Sequence, residues 1–132
     1  MTLQLSTVEL DRHDRIAIAT VSGEVDLSNA ATVRQRIAAF VTPDDEALLV
    51  DLTSVSFIDS AGLHALFDLE ATLGERRQQF RLVVPSEGQV ARTIGLIGMP
   101  RTIEVHPDRS AAEAAVRTSS QTSRPVTPDT PI

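Results

Sequence analysis

The sequence predicts a single α/β domain in which about four helices cross a mixed central β-sheet. Three observations carry that reading. Two strand-like stretches near the start are separated only by the polar "DRHD", as in a hairpin. Beyond residue 23, strand-like and helix-like patterns alternate, which calls for crossover connections between parallel strands. "ALLVDL" (47–52) is a nearly continuous apolar run of strand length, expected where both faces of a strand are covered. The hairpin makes the sheet mixed, and 132 residues suffice for one core.

"LQLSTVEL" (3–10) alternates apolar and polar, the pattern of a strand with one exposed face. "RIAIATVSG" (15–23) is the second strand. "GEVDLSNA" (23–30) reads as a loop into a helix, with Ser28 as its N-cap. In the following "NAATVRQRIAAFV", Val33, Ile37, Phe40 and Val41 recur at helical spacing, with Arg34 and Arg36 off the stripe. After "ALLVDL", the stretch "TSVSFI" leads to "DSAGLHAL". From Leu63, apolar residues at Leu66, Phe67 and Leu73 predict an amphipathic helix to about Gln78. "FRLVV" (80–84) is a strand stopped by Pro85. "SEGQVARTIGLIG" (86–98) is a helix burying Val90, Ile94 and Ile97. "TIEV" (102–105) is a weak strand, and "DRSAAEAAVR" (108–117) an Ala-rich last helix. The domain is expected to span 1–117. The polar, Pro-rich tail 118–132 has little to bury and is expected to be disordered.

Composition narrows the function. The net charge is −6, and no cluster of Lys and Arg offers a surface for phosphate backbones, so nucleic acid is not an expected partner. There is no lysine, which removes Schiff-base chemistry and the P-loop. There is no cysteine, hence no disulfide, thiolate or zinc-thiolate site. No apolar run reaches the length of a membrane span, and "MTLQLSTVEL" lacks the pattern of a signal peptide. The expectation is a cytoplasmic protein that needs no membrane, metal or cofactor of its own.

The chemistry concentrates in "SFIDSAGLHALFDL" (56–69). Ser60 begins a helix, where unpaired N–H groups and the dipole suit a capping hydroxyl or a phosphate equally. Gly62 removes a side chain beside Ser60 and leaves room for another molecule to approach. Ser60 and His64, four apart, could share a helix face as nucleophile and base. However, "IDSAG" keeps only half of G-x-S-x-G, and no third orienting group follows from the sequence. Asp51 and Asp59 flank a strand end in the manner of a phosphoacceptor site, and Glu24 and Asp26 add two loop acids. Metal binding would require these four to converge; a solvated loop is the plainer reading.

Taken together, "SGEVDLSNA", "VDLTSVSFIDSAGLHAL" and "RTIGLIGMPRTIEVHPDRSAAEAA" resemble the STAS domain of bacterial anti-sigma factor antagonists. The likeness covers about residues 3–117. It implies a switch and not an enzyme. In that family the serine after the turn's aspartate, here Ser60, is phosphorylated by an anti-sigma factor that is also a serine kinase. The bare antagonist binds the kinase and releases a sigma factor. Phosphorylation blocks binding and a separate serine phosphatase restores it, while ATP and Mg²⁺ belong to the kinase. The resemblance places Asp26 and Asp59 near the partner interface, with Gly62 and Leu63 in the turn. Ala61 replaces a serine common in the family, leaving Ser60 as the turn's one acceptor. His64 stands where the family is often small or apolar, either exposed or touching the partner. The alternative role for this fold is a binding subunit of a transporter or stressosome-type complex without a phosphoserine switch.

Overall fold

The computed structural model describes residues 6–97 and 103–122. Five strands and four helices follow in the order β1 (Ser6–His13), β2 (Ile16–Val25), α1 (Ala30–Phe40), β3 (Ala47–Ile58), α2 (Ser60–Glu75), β4 (Gln79–Val83), α3 (Gln89–Ile97), β5 (Glu104–His106) and α4 (Arg109–Thr122). The sheet keeps sequence order, β1-β2-β3-β4-β5. Only β1–β2 is antiparallel; every later pair is parallel.

The hairpin is tighter than "DRHD" suggests. His13 pairs with Ile16, so the turn is Asp14–Arg15 alone, both at positive φ (51° and 67°). That twist matches the strands, as in two-residue hairpins.

Strand alternation sorts the core into two layers. Ala17, Ala19, Val21, Leu48, Val50, Leu52 and Leu82 face the larger cluster, against Val33 and Ile37 of α1, Leu63, Leu66, Leu69 and Leu73 of α2, and Val90 and Ile94 of α3. Ile16, Ile18, Ala47, Leu49 and Val83 face the other way, against Ala112 and Val116 of α4. Both faces of β3 are thus covered, as its apolar run predicts.

Several boundaries differ from expectation. β2 runs on through Gly23 and Glu24 to Val25, so half of the expected loop is strand. β3 is twelve residues long and absorbs "TSVSFI". This stretch pairs with β2 through register shifts after Thr20 and Gly23, and Gly23 supplies the positive φ (87°) there. α2 ends at Glu75, and α3 starts at Gln89, later than expected. His13 and His106 are the last residues of β1 and β5. α4 continues past Arg117 to Thr122, so the start of the expected tail is helical. Residues 123–132, also expected to be disordered, lie outside the described residues, as does the start of "LQLSTVEL".

Candidate functional site

β2 and β3 run parallel and end together, with Val25 opposite Ile58. The segments that follow them therefore meet. The Asp59 N–H donates to the Val25 carbonyl at 3.2 Å, extending the pairing one step beyond the strand. Asp59 is extended (φ −110°, ψ −171°) and is the N-cap of α2. Its Oδ1 accepts the Gly62 N–H at 3.0 Å and its Oδ2 accepts the Leu27 N–H at 3.3 Å. One carboxylate thus joins the helix start to the β2–α1 loop.

Ser60 is consequently not the cap but the first helical residue. The short side chain of Asp59 already occupies the orphan N–H group that a capping hydroxyl would take. The Ser60 side chain is exposed and makes no hydrogen bond to any described residue.

The β2–α1 loop is held by its own polar groups. Asp26 Oδ1 accepts from both the N–H (2.9 Å) and the hydroxyl (2.6 Å) of Ser28. Asn29 Oδ1 accepts the Asp26 N–H at 3.0 Å, and Asn29 Nδ2 donates to the Glu24 carbonyl at 2.9 Å. Ser28 is therefore a donor to Asp26 and not the N-cap of α1. Asn29 stands at the cap position, with its side chain turned back to the loop. Asp26, Leu27, Ser28 and Asp59 line a shallow depression of about 420 Å³.

Gly62 and Leu63 lie under the site and not on it; both are buried. A Cβ on Gly62 would fall 2.5 Å from Ile58 Cγ1 and 3.1 Å from Val25 Cγ1. The missing side chain makes room inward, for the ends of β2 and β3, which corrects the expectation that it opens space outward. His64 is exposed and lines a groove between α1 and α2 with Arg34 and Asp68. No hydrogen bond joins it to Ser60 or to an orienting acid among the described residues, so the nucleophile–base geometry is not assembled.

Asp51 does not join Asp26 and Asp59. It is buried on the α4 side, where Oδ2 accepts Arg109 Nε–H at 2.7 Å and Oδ1 accepts the Thr53 N–H (2.9 Å) and hydroxyl (2.7 Å). Burial pushes this carboxyl up, but the Arg109 and Thr53 hydrogen bonds outweigh it, and the net shift is down. No group of three or more His, Cys, Asp or Glu able to hold a metal forms among the described residues.

Sequence reasoning passed over two supporting residues, Asn29 and Gln89. Gln89 Oε1 accepts the Ile58 N–H and its Nε2 donates to the Ile58 carbonyl, both at 2.9 Å. β4 stops pairing with β3 at Asp51, so α3 supplies through this side chain what a strand no longer does. An amide two residues before Ser60 is thereby fixed. Only the fold reveals this, since a Gln on a helix carries no signature of a strand-end clamp.

The turn carrying the free serine thus sits on a five-strand mixed sheet that keeps sequence order. The model of the STAS domain matches residues 7–112. The chain belongs to the STAS domain family. Among curated STAS relatives, the anti-sigma-F factor antagonist RsfB of Mycobacterium tuberculosis is 31% identical over 112 residues, 84% of this chain and 89% of its own length. A solved anti-sigma factor antagonist from Mycobacterium paratuberculosis superposes with TM-score 0.77 at 33% identity, covering 85% of this chain and 94% of that one. The phosphorylated form of the Bacillus cell fate determinant SpoIIAA superposes at TM-score 0.62 with 15% identity, over 83% of this chain and 99% of that one, a likeness of fold alone.

Proposed function

We propose that this STAS domain is an anti-sigma factor antagonist switched by phosphorylation of Ser60. The observation that carries the reading is the free, exposed hydroxyl of Ser60 at the first position of α2, directly after the fixed Asp59 carboxylate, in a chain whose named relatives are antagonists. A partner kinase would transfer the γ-phosphoryl group of ATP to Ser60 Oγ. ADP leaves, and the hydroxyl proton passes to a base on the kinase. The bare protein binds that anti-sigma factor kinase and so frees a sigma factor. A serine phosphatase hydrolyses the phosphoester and resets the switch. All of this takes place in the cytoplasm.

Electrostatics supports the direction of the switch. A phosphate adds roughly −1.5 to −2 charges and three acceptor oxygens at one point. Next to Asp59, which is tied to the loop carrying Asp26, it concentrates negative charge where a partner would have to desolvate it, so binding is lost without refolding. Asp59 and Asp26 keep their structural bonds in both states, and Gly62 and Leu63 hold the turn from beneath.

The test is intact mass after incubation with ATP, Mg²⁺ and the anti-sigma factor kinases of the same genome. Wild type should gain one phosphate and Ser60→Ala none. Chemical-shift changes on phosphorylation should stay near the turn. No modification and no binding by any kinase, or shifts spreading to β1 and β5, would contradict the reading.

A further inference from the structure

Among the described residues, Leu27, Phe57, Leu96 and Val105 are large apolar side chains left exposed. A lone exposed leucine is ordinary. Leu27, 83% exposed, differs in how it is held. Every backbone N–H from Asp26 to Ala30 is engaged, to Asn29 Oδ1, Asp59 Oδ2, Asp26 Oδ1 and, for the last two, the Asp26 carbonyl. The loop has no slack with which to fold Leu27 inward. A side chain ordered before binding loses less entropy on docking.

Leu27 also stands where two surfaces meet. On one side is the depression lined by Asp26, Ser28 and Asp59, the last of which precedes Ser60 in the chain. On the other is the groove between α1 and α2, about 440 Å³, walled by Ala30, Ala31, Ala61 and Ala65. Ala61, on the wall of this groove, follows Ser60 in the chain, and the Leu27 N–H bonds Asp59, the residue before Ser60. The carboxylates at Asp26, Asp59 and Asp68 give the rim a negative balance against Arg34.

We propose that Leu27 is the apolar anchor through which this protein docks its serine kinase. The kinase surface then carries an apolar socket for Leu27 beside its nucleotide site, ringed by cationic or N–H groups that meet Asp26 and Asp59. This rests on the antagonist reading and adds the residue and the partner chemistry that give the complex its affinity.

The experiment is calorimetric titration of the full chain into the purified anti-sigma factor kinases of the same genome, loaded with ADP and Mg²⁺. Leu27→Ala should weaken binding about tenfold to a hundredfold, the loss expected for an unburied leucine. Leu27→Met should bind like wild type. Both variants should keep the wild-type melting temperature and the amide shift of residue 27. Leu27→Ala binding within about twofold of wild type overturns the anchor, as does equal weakening by Ala and Met. Wild type that neither binds nor is phosphorylated by any of these kinases overturns the antagonist reading, and the anchor with it.

Discussion

Gly62 and Asp59, three residues apart in one motif, serve different physical ends. Gly62 is closed in by Ile58 and Val25, whereas Gly74 in the same helix has nothing within 4 Å of the position its Cβ would take. The two glycines should therefore answer oppositely to alanine. Gly62→Ala should lower stability in urea by about 1–3 kcal/mol through overpacking, more than the ~1 kcal/mol that alanine gains in a helix. Gly74→Ala should raise it by up to ~1 kcal/mol. Asp59→Ala removes the N-cap and should cost about 1 kcal/mol, and the Leu27 amide, losing its acceptor, should exchange faster with solvent. The motif letters "DSAG" were legible in the sequence, but the assignment of cap to aspartate and of packing to glycine was not. Asp and Ser are both good caps, and which one adopts extended backbone depends on where β3 ends.

α4 is attached by specific polar links as well as by apolar packing. Among its described side chains, Ala112 and Val116 are fully buried, against a small apolar cluster on the sheet. Arg109 at its first residue adds polar links to Asp51 at 2.7 Å and to the Thr20 hydroxyl. Farther along, the buried Arg81 of β4 donates to the Ser119 hydroxyl at 2.7 Å. Breaking a fully buried pair costs about 3–5 kcal/mol; Arg109 is half-exposed, so Arg109→Ala should cost less than that. Amide exchange should speed up in α4 before it does in β2 and β3. The Ala-rich pattern announced a helix here, and its length and docking came from residues in three other elements. Similarly, the exposed groove at His64 and the inward seat of Leu63 follow from how α2 lies against α1, which spacing alone suggests only as a stripe.

Across the whole molecule, buried titratable groups set an acid limit. Arg12 donates to Asp45 from Nε at 2.7 Å and Nη2 at 2.8 Å, and with the Thr42 N–H it holds that carboxyl below the usual 3.8 despite burial. Asp51 is lowered likewise. Burial, then Arg81, lowers His106 below 6.5, against the opposing pull of Glu104 and Asp108. In each case the unfolded chain binds protons more readily. The His106 contribution is thus complete above pH 6.5 and is lost as pH falls through its lowered value; the Asp contributions are complete above pH 3.8 and are lost below it. Urea midpoints measured against pH should fall in these two windows, and His106→Gln should flatten the first alone. The α/β class, the hairpin, the covered central strand and the family motifs could be read from residue order. Apolar periodicity and turn residues act locally, over one or two turns of chain. Tertiary structure alone decided that Asp59 caps and Ser60 stands free, that Asp51 serves α4, that Gln89 clamps Ile58 and that Leu27 projects. Each of these depends on where strands end and helices pack in space, a proximity that no spacing along the chain encodes.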